Sequence, residues 1–459
     1  MLVNLTKTDF GSISENFPRI KLSNMYVVEN PASVGGYSYI SRPSLTTFAT
    51  MTSGNIRGIF YQSTGGTVTI YIVSGNNLYT LNPDGSFNLI GSTPGTDFCT
   101  FASTIYNIGI LSGGNVFLYD GATLTQVVLP NAGYVMSAIA SLDNYYIISL
   151  QNTSKFYFIR PGNTTILPLD FESAERNPDD IVSISTIGDE LWVIGKETVE
   201  IFIDSGAQAA PFTRIPGRVY QTGCVDKRSL VKCNKNSLPC LVWVTPTREV
   251  MLAQGIPSKI SNESVEELLR NATSFVAWSF RTNRHDFYVI TTENETQVFD
   301  LNLGNWYRWS TYGQGTWNAY SGIQIENTTY VIDNVGGNIY QLTTSVIDPN
   351  LDFIVCEVGG FMPNPTNTPS SVNSFTLFLN FGVSPLYTYG PSIELRFSDD
   401  GGRNWSEYYQ QYMGARGMYD ASVMFRSMGS VTRPGRYVEL RFSELSNIRI
   451  DGLITNDTA

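Results

Sequence analysis

The first residues whose types and spacing suit chemistry are four carboxylates close together, Glu172, Glu175, Asp179 and Asp180. Paired carboxylates serve as general acid and base or hold a divalent cation. The stretch lacks the ligand rhythm of a calcium loop, and Arg176 and Pro178 within it mark a polar connector. The single histidine, His285, excludes every mechanism that needs two, including His-pair metal sites. No nucleophile signature accompanies it, so it reads as a hydrogen-bonding side chain just before a strand. Asn305-Trp306-Tyr307-Arg308-Trp309 has the composition to stack bases or sugars, and equally that of a packed outer strand. Cys99, Cys224, Cys233, Cys240 and Cys356 are odd in number and form no CxxC pair, so they read as reduced, buried thiols. These patterns assign no catalytic, metal-binding or cofactor-binding constellation.

The sharpest local motif is Ser398-Asp399-Asp400-Gly401-Gly402-Arg403-Asn404-Trp405, which fits the Asp-box pattern S-x-D-x-G-x-x-W of sialidase-like propellers. It is a turn device: the Asp side chain ties turn amides, glycine permits the reversed backbone, and Trp packs under the hairpin. One good copy is present, outside the repeats described next, and it reads as structural.

Such groups need elements to position them, and composition narrows which. The chain has 459 residues, 42% hydrophobic, 13% aromatic and 15% charged, enough apolar material for two or three cores. No apolar run is long enough to span a membrane, and Met1 to Phe10 lacks the layout of a secretory leader. Acidic residues outnumber basic ones 40 to 29, a net charge of -11 that disfavours sequence-independent nucleic-acid binding over a broad surface.

A unit of short apolar strand, polar turn and aromatic-containing strand recurs along the chain. Anchored on Ile72, Ile110, Ile147, Val193, Trp243, Val289 and Val331, its intervals are 38, 37, 46, 50, 46 and 42 residues. The mean of about 43 is the period of a four-stranded propeller blade. Radial repetition also packs the apolar face of each small sheet against its neighbours. The expected fold is therefore all-β, a β-propeller of six or seven blades over residues 46–345. Residues 1–45 are expected to form an extended N-terminal arm. Residues 346–459, with period-two runs such as Ile393–Phe397 and Tyr437–Phe442, are expected to form a separate C-terminal antiparallel β domain, reached through a Pro-rich linker at 363–370. One helix is expected between blades at 261–270, capped by Ser261.

Read in order, a set of landmarks resembles the packaged-DNA stabilisation, or tail hub (nozzle), proteins of short-tailed bacteriophages. They are Ser41-Arg42-Pro43-Ser44-Leu45; Arg57-Gly58; Leu78-Tyr79; the connector from Asp170 to Ile181 with Glu175 and Asp179; and Leu191-Trp192-Val193-Ile194-Gly195 with Thr198-Val199-Glu200. Pro211-Phe212-Thr213-Arg214, Gly223-Cys224, Gln254 to Ser261 with Pro257, and the Asp400, Gly402 and Trp405 box follow. The chain departs from the family in having Pro43-Ser44 where Pro-Gly is frequent, and Arg284 before His285 where glycine is common.

The resemblance implies a virion component and no enzyme: a propeller subunit of a homo-hexameric ring beneath the portal-adaptor proteins. Tail fibre or spike and plug or needle proteins would be further partners, with double-stranded DNA passing transiently through the lumen. It implies assembly in the host cytoplasm, location in the virion tail, no cofactor, and a structural role for the motif residues. Six copies at -11 each carry -66, so a lumen sharing that bias lets a duplex slide. The competing readings are a glycan-binding or glycoside-cleaving, sialidase-like propeller and a receptor-binding fibre module.

Overall fold

The computed structural model describes residues 1–9, 20–52, 54–131, 133–174, 179–333, 335–344, 354–365, 368–381, 391–414, 421–443 and 448–457. Its short strands of β-branched and aromatic residues are joined by tight turns at positive φ. Asp143-Asn144, Asn236-Ser237 and Asn283-Arg284 each have both central residues at φ between 48° and 68°. That is the backbone of a two-residue hairpin whose twist matches its strands.

Seven four-stranded antiparallel blades are described: one (56–92), two (100–126), three (136–173), four (181–220), five (231–259), six (275–309) and seven (321–343). The fourth strand of blade seven comes from the other end of the chain: Ser44–Thr50 pairs with Asn338–Thr343. This strand spans residues 45 and 46, and it fastens the ring by hydrogen bonds between chain segments nearly 300 residues apart. The inner strand of blade seven, Ser321–Ile325, then packs beside that of blade one, Ile56–Thr64. All seven anchor residues lie on the second strand of their blades, and all are buried. Their second strands are sandwiched between neighbouring blades, where each buried aliphatic side chain contributes about 1.5–3 kcal/mol.

The helix between blades five and six runs Glu263–Asn271 and packs Val265 and Leu269 into the core. Its cap is Asn262, whose Oδ1 accepts from the Val265 amide at 3.0 Å. Ser261, one residue earlier, accepts from the Val250 amide and donates to Glu266. The cap thus sits one position later than expected because Ser261 is already engaged with a strand.

The C-terminal residues form a two-layer sandwich. Cys356–Pro363, Gly435–Phe442, Ser392–Ser398 and Tyr409–Tyr412 make one layer; Ser370–Phe381, Ile448–Asp457 and Ala421–Arg426 belong to the other. The Pro-rich stretch near 363–370 joins the two layers and does not join domains. The N-terminal segment is more than an arm. Leu22–Ser23 is inserted between the outer strand of blade six and Cys356–Pro363, so one sheet runs from propeller to sandwich. The hairpin of Met25–Glu29 and Tyr37–Ser41 joins the second layer beside Ile448–Asp457. A single apolar core holds Trp278 and Trp309 of blade six together with Val358, Phe375 and Leu440 of the sandwich. The C-terminal domain is consequently fused to the propeller, because the strand that would have been blade six's free edge is covered.

Candidate functional site

The sequence-marked residues sit at junctions. Arg57 lies at a β-bulge of blade one's inner strand, between Ile56 and Gly58, and bulges re-aim side chains. Its guanidinium is 7% exposed and donates to the carbonyls of Gly75 (2.7 Å), Thr93 (2.8 Å) and Asp97 (2.9 Å) and to the Ser112 hydroxyl (2.9 Å). Blades one and two are clasped by it. Beside it, a Cβ on Gly58 would lie 2.7 Å from the Phe101 ring, so only glycine lets the blades approach this closely.

A second knot ties blade four to blade five. Asp179 accepts from the amides of Lys196 (3.0 Å), Glu197 (2.9 Å) and Thr198 (2.8 Å), and Asp180 pairs with Lys196 Nζ at 2.7 Å. A Cβ on Gly195 would overlap the Asp179 carboxylate, and one on Gly223 the Lys196 carbonyl. The Cys224 amide donates to Gly195 O, while the Trp243 indole donates to Gly223 O. Trp192 is fully buried and stacks on Tyr220. Glu172, in the outer strand of blade three, has its pKa raised by burial and is not drawn into this knot. Glu175 lies outside the described residues. The acidic connector is thereby a turn-binding device.

Elsewhere the motif residues hold joints too. Arg42 is 1% exposed and donates from Nε to Asn24 Oδ1 (3.0 Å) and from its Nη atoms to Pro43 O (2.8 Å) and Ser310 O (2.9 Å). Asn24, at φ 57°, also accepts from the Ser310 amide and donates to Val355 O. This node fixes the N-terminal segment, blade six and sandwich together. Sequence reasoning passed over Asn24; its signal was an asparagine between two short apolar runs, the residue type that tolerates positive φ. Pro257 opens the outer strand of blade five, where a missing N–H costs no ladder bond.

In the Asp box, Asp400 accepts from the Asn404 amide at 2.9 Å and the Ser398 hydroxyl at 2.8 Å. These bonds, the backbone one largest, hold its pKa down at about 2. The Gly402 amide donates to Ser398 Oγ, Trp405 donates to Gly402 O, and Arg396 lies over the Trp405 ring. The neighbouring Asp399 accepts from Nε and Nη2 of buried Arg436, both at 2.7 Å. His285 Nδ1 lies 2.6 Å from Asp300 Oδ2, with Phe287 stacked on its ring and Tyr26 against its edge. It packs the N-terminal hairpin onto blade six. Trp306, Tyr307 and Trp309 are buried, with Trp309 donating to Met25 O. All five cysteines are free and buried; burial raises the Cys99 thiol to about 11 and Cys224 to about 12. The thiolates of Cys99 and Cys224 are thereby disfavoured as nucleophiles.

On the face carrying the connections between blades, side chains reach past a neighbouring blade. The short turn Lys227–Ser229, between blades four and five, sends Lys227 Nζ past blade four to the Ser137 carbonyl of blade three at 2.9 Å. From the other side Phe98, ahead of blade two, meets Tyr320, ahead of blade seven, with ring centroids 6.4 Å apart. Arg228 pairs with Asp226 at 2.7 Å, and Tyr320 and Asp97 add to its electrostatic surroundings. Side chains thus tie non-adjacent blades together on this face. No sequence pattern announced these chords, because each joins residues about 90 to 220 positions apart.

The chain is similar to the solved structure of virginiamycin B lyase from Staphylococcus aureus, at 12% identity over 65% of this chain and 99% of that one, TM-score 0.47. It is also similar to BamB from Moraxella catarrhalis, at 12% identity over 74% of this chain and 98% of that one, TM-score 0.42. No curated protein matches the chain. The family model described as "Bacteriophage P22 Gp10, beta-propeller" matches residues 10–347, well over half of the sequence. Closed seven-bladed ring and family match together make this chain a member of the bacteriophage packaged-DNA stabilisation β-propeller family.

Proposed function

We propose that the chain is a structural subunit of the tail hub, or nozzle, of a short-tailed phage. In this reading six copies form a ring below the portal-adaptor proteins and meet fibre or spike and plug or needle proteins. The ring retains packaged DNA and becomes the conduit for its ejection, and the chain catalyses no reaction.

The observation that carries the reading is the family match over residues 10–347. In this reading the conduit lies between copies, and ties that reach past a blade, Lys227 to Ser137 and Phe98 to Tyr320, keep each copy rigid. Buried arginine clasps and a closed strand ring suit a wall under load, since they hold shape with no moving part. A lumen that shares the bias of -11 per chain would not adhere to phosphates. Cryo-electron microscopy of the particle tests this: the reading expects six copies in a ring between portal-adaptor and tail tip, with a lumen that is not electropositive. A chain located in the capsid shell, or a strongly basic lumen, overturns it.

A further inference from the structure

We propose that Cys233 and Cys240 of blade five form a dithiol site that a low-molecular-weight disulfide oxidises to a reversible cross-strand bridge. The two lie directly opposite each other on the first two strands of the blade, Val231–Lys235 and Leu238–Val244. These strands are joined by the two-residue turn Asn236-Ser237, so Lys235 and Leu238 are the hydrogen-bonded pair that closes the hairpin. Alternation then leaves Asn234 and Pro239 without mutual ladder bonds, which suits a residue that has no N–H, and makes Cys233 and Cys240 a hydrogen-bonded pair. The Cα atoms of such a pair are about 5.5 Å apart, inside the range of about 4.4–6.8 Å that a disulfide spans.

Opposite residues share a face, so both thiols enter the same core, packed between blades five and six with Phe275 and Tyr288. A reagent reaches them by opening of the hairpin tip, where Asn234, Asn236, Ser237 and Leu238 are exposed. Cys240 is the attacking thiol. Cys233 beside it, and secondarily Lys235, bring it below its ordinary pKa against the effect of burial, while burial holds the Cys233 thiol well up. Two thiols fall short of the four ligands of a structural zinc site, and no group of three or more candidate ligands occurs among the described residues.

The reaction is two successive exchanges. The Cys240 thiolate attacks one sulfur of the reagent's S–S bond, giving a mixed disulfide and expelling the first reagent thiolate; Cys233, losing its proton, then attacks Cys240 Sγ and expels the second. One S–S bond breaks and one forms. The two cysteine protons end on the two released thiols, so the protein loses two electrons and the reagent gains them. A bridge only two residue pairs from an exposed turn is open to the same exchange in reverse. The site stands on this hairpin alone and is independent of the ring assembly proposed above.

The test incubates the full folded chain with glutathione disulfide, blocks the remaining thiols with N-ethylmaleimide in denaturant, and digests with trypsin. Cleavage after Lys232, Lys235 and Arg248 puts the two cysteines in separate peptides, Cys233–Lys235 and Asn236–Arg248, unless they are bridged. The expected product is this pair joined, lighter by two hydrogens than the reduced peptides together, in about tenfold excess over any link to Cys99, Cys224 or Cys356, and parted again by dithiothreitol. Cys233→Ser should accumulate the glutathione adduct of Cys240, and Cys240→Ser about tenfold less adduct on Cys233. The proposal is overturned if no joined pair forms, if it forms only in denaturant, or if the other cysteines link equally. Equal adducts in the two variants overturn the assignment of Cys240 as the attacking thiol.

Discussion

Arg57→Ala is the sharpest probe of how this propeller holds its shape. The guanidinium satisfies three carbonyls and one hydroxyl across blades one and two. Thr93 O also accepts from Ser112 Oγ at 2.9 Å and stays satisfied after the change. Gly75 O and Asp97 O are the acceptors left without that donor. Both bonds are only partly buried, so water reaches the stranded carbonyls, and of the about 1–3 kcal/mol that a fully buried group would cost each keeps the low end, about 2 kcal/mol for the pair. The Asp97 carboxylate, 3.8 Å away and 44% exposed, adds little, since a pair that open to solvent is screened. Equilibrium urea unfolding followed by tryptophan fluorescence measures this as a lower midpoint at unchanged slope. Arg57→Lys should recover only part of the loss, because one ammonium cannot reach four acceptors in that geometry. A loss below about 1 kcal/mol in the alanine variant, or full recovery with lysine, would refute the clasp argument.

Further outcomes follow from the other joints. Gly223→Ala should cost about 3 kcal/mol, because its Cβ meets the Lys196 backbone, which has no flexible end to move aside; a variant with the parent melting temperature would contradict this. Leu45→Ala on the closing strand should cost about 2–5 kcal/mol, and amide exchange should quicken together in Ser44–Thr50 and Asn338–Thr343. Faster exchange in only one of the two strands would count against ring closure there. Asp400 has a folded pKa of about 2 against an ordinary 3.8, so what it contributes is present above the ordinary value and is lost as pH falls through about 2. The Asn404 amide resonance should titrate with that low midpoint, and a midpoint at the ordinary value would mean the turn bonds do not form in solution.

Much of this architecture was legible in the linear chain because its causes are local. Hairpins need alternating apolar residues and turns at positive φ, and both leave a mark within ten residues; hence Ile72 to Val331 pointed to the second strand of every blade. The Asp-box turn was readable for the same reason, as was the family resemblance carried by Arg57, Asp179, Gly195 and Gly223. The position of the helix cap was not, because Ser261 serves a strand that sequence spacing does not connect to it.

Sequence alone determined the β repeat, its period and the residue types that turns and blade cores demand, since these depend on side-chain alternation and backbone preference over a few positions. Tertiary structure decided that there are seven blades and not six, because Ser44–Thr50 completes the last one from a distance. It alone decided that Leu22–Ser23 welds propeller to sandwich and that Lys227 and Phe98 reach past a neighbouring blade. Each of these joins segments far apart in the chain, and a long loop leaves no periodic trace of the partner it will meet.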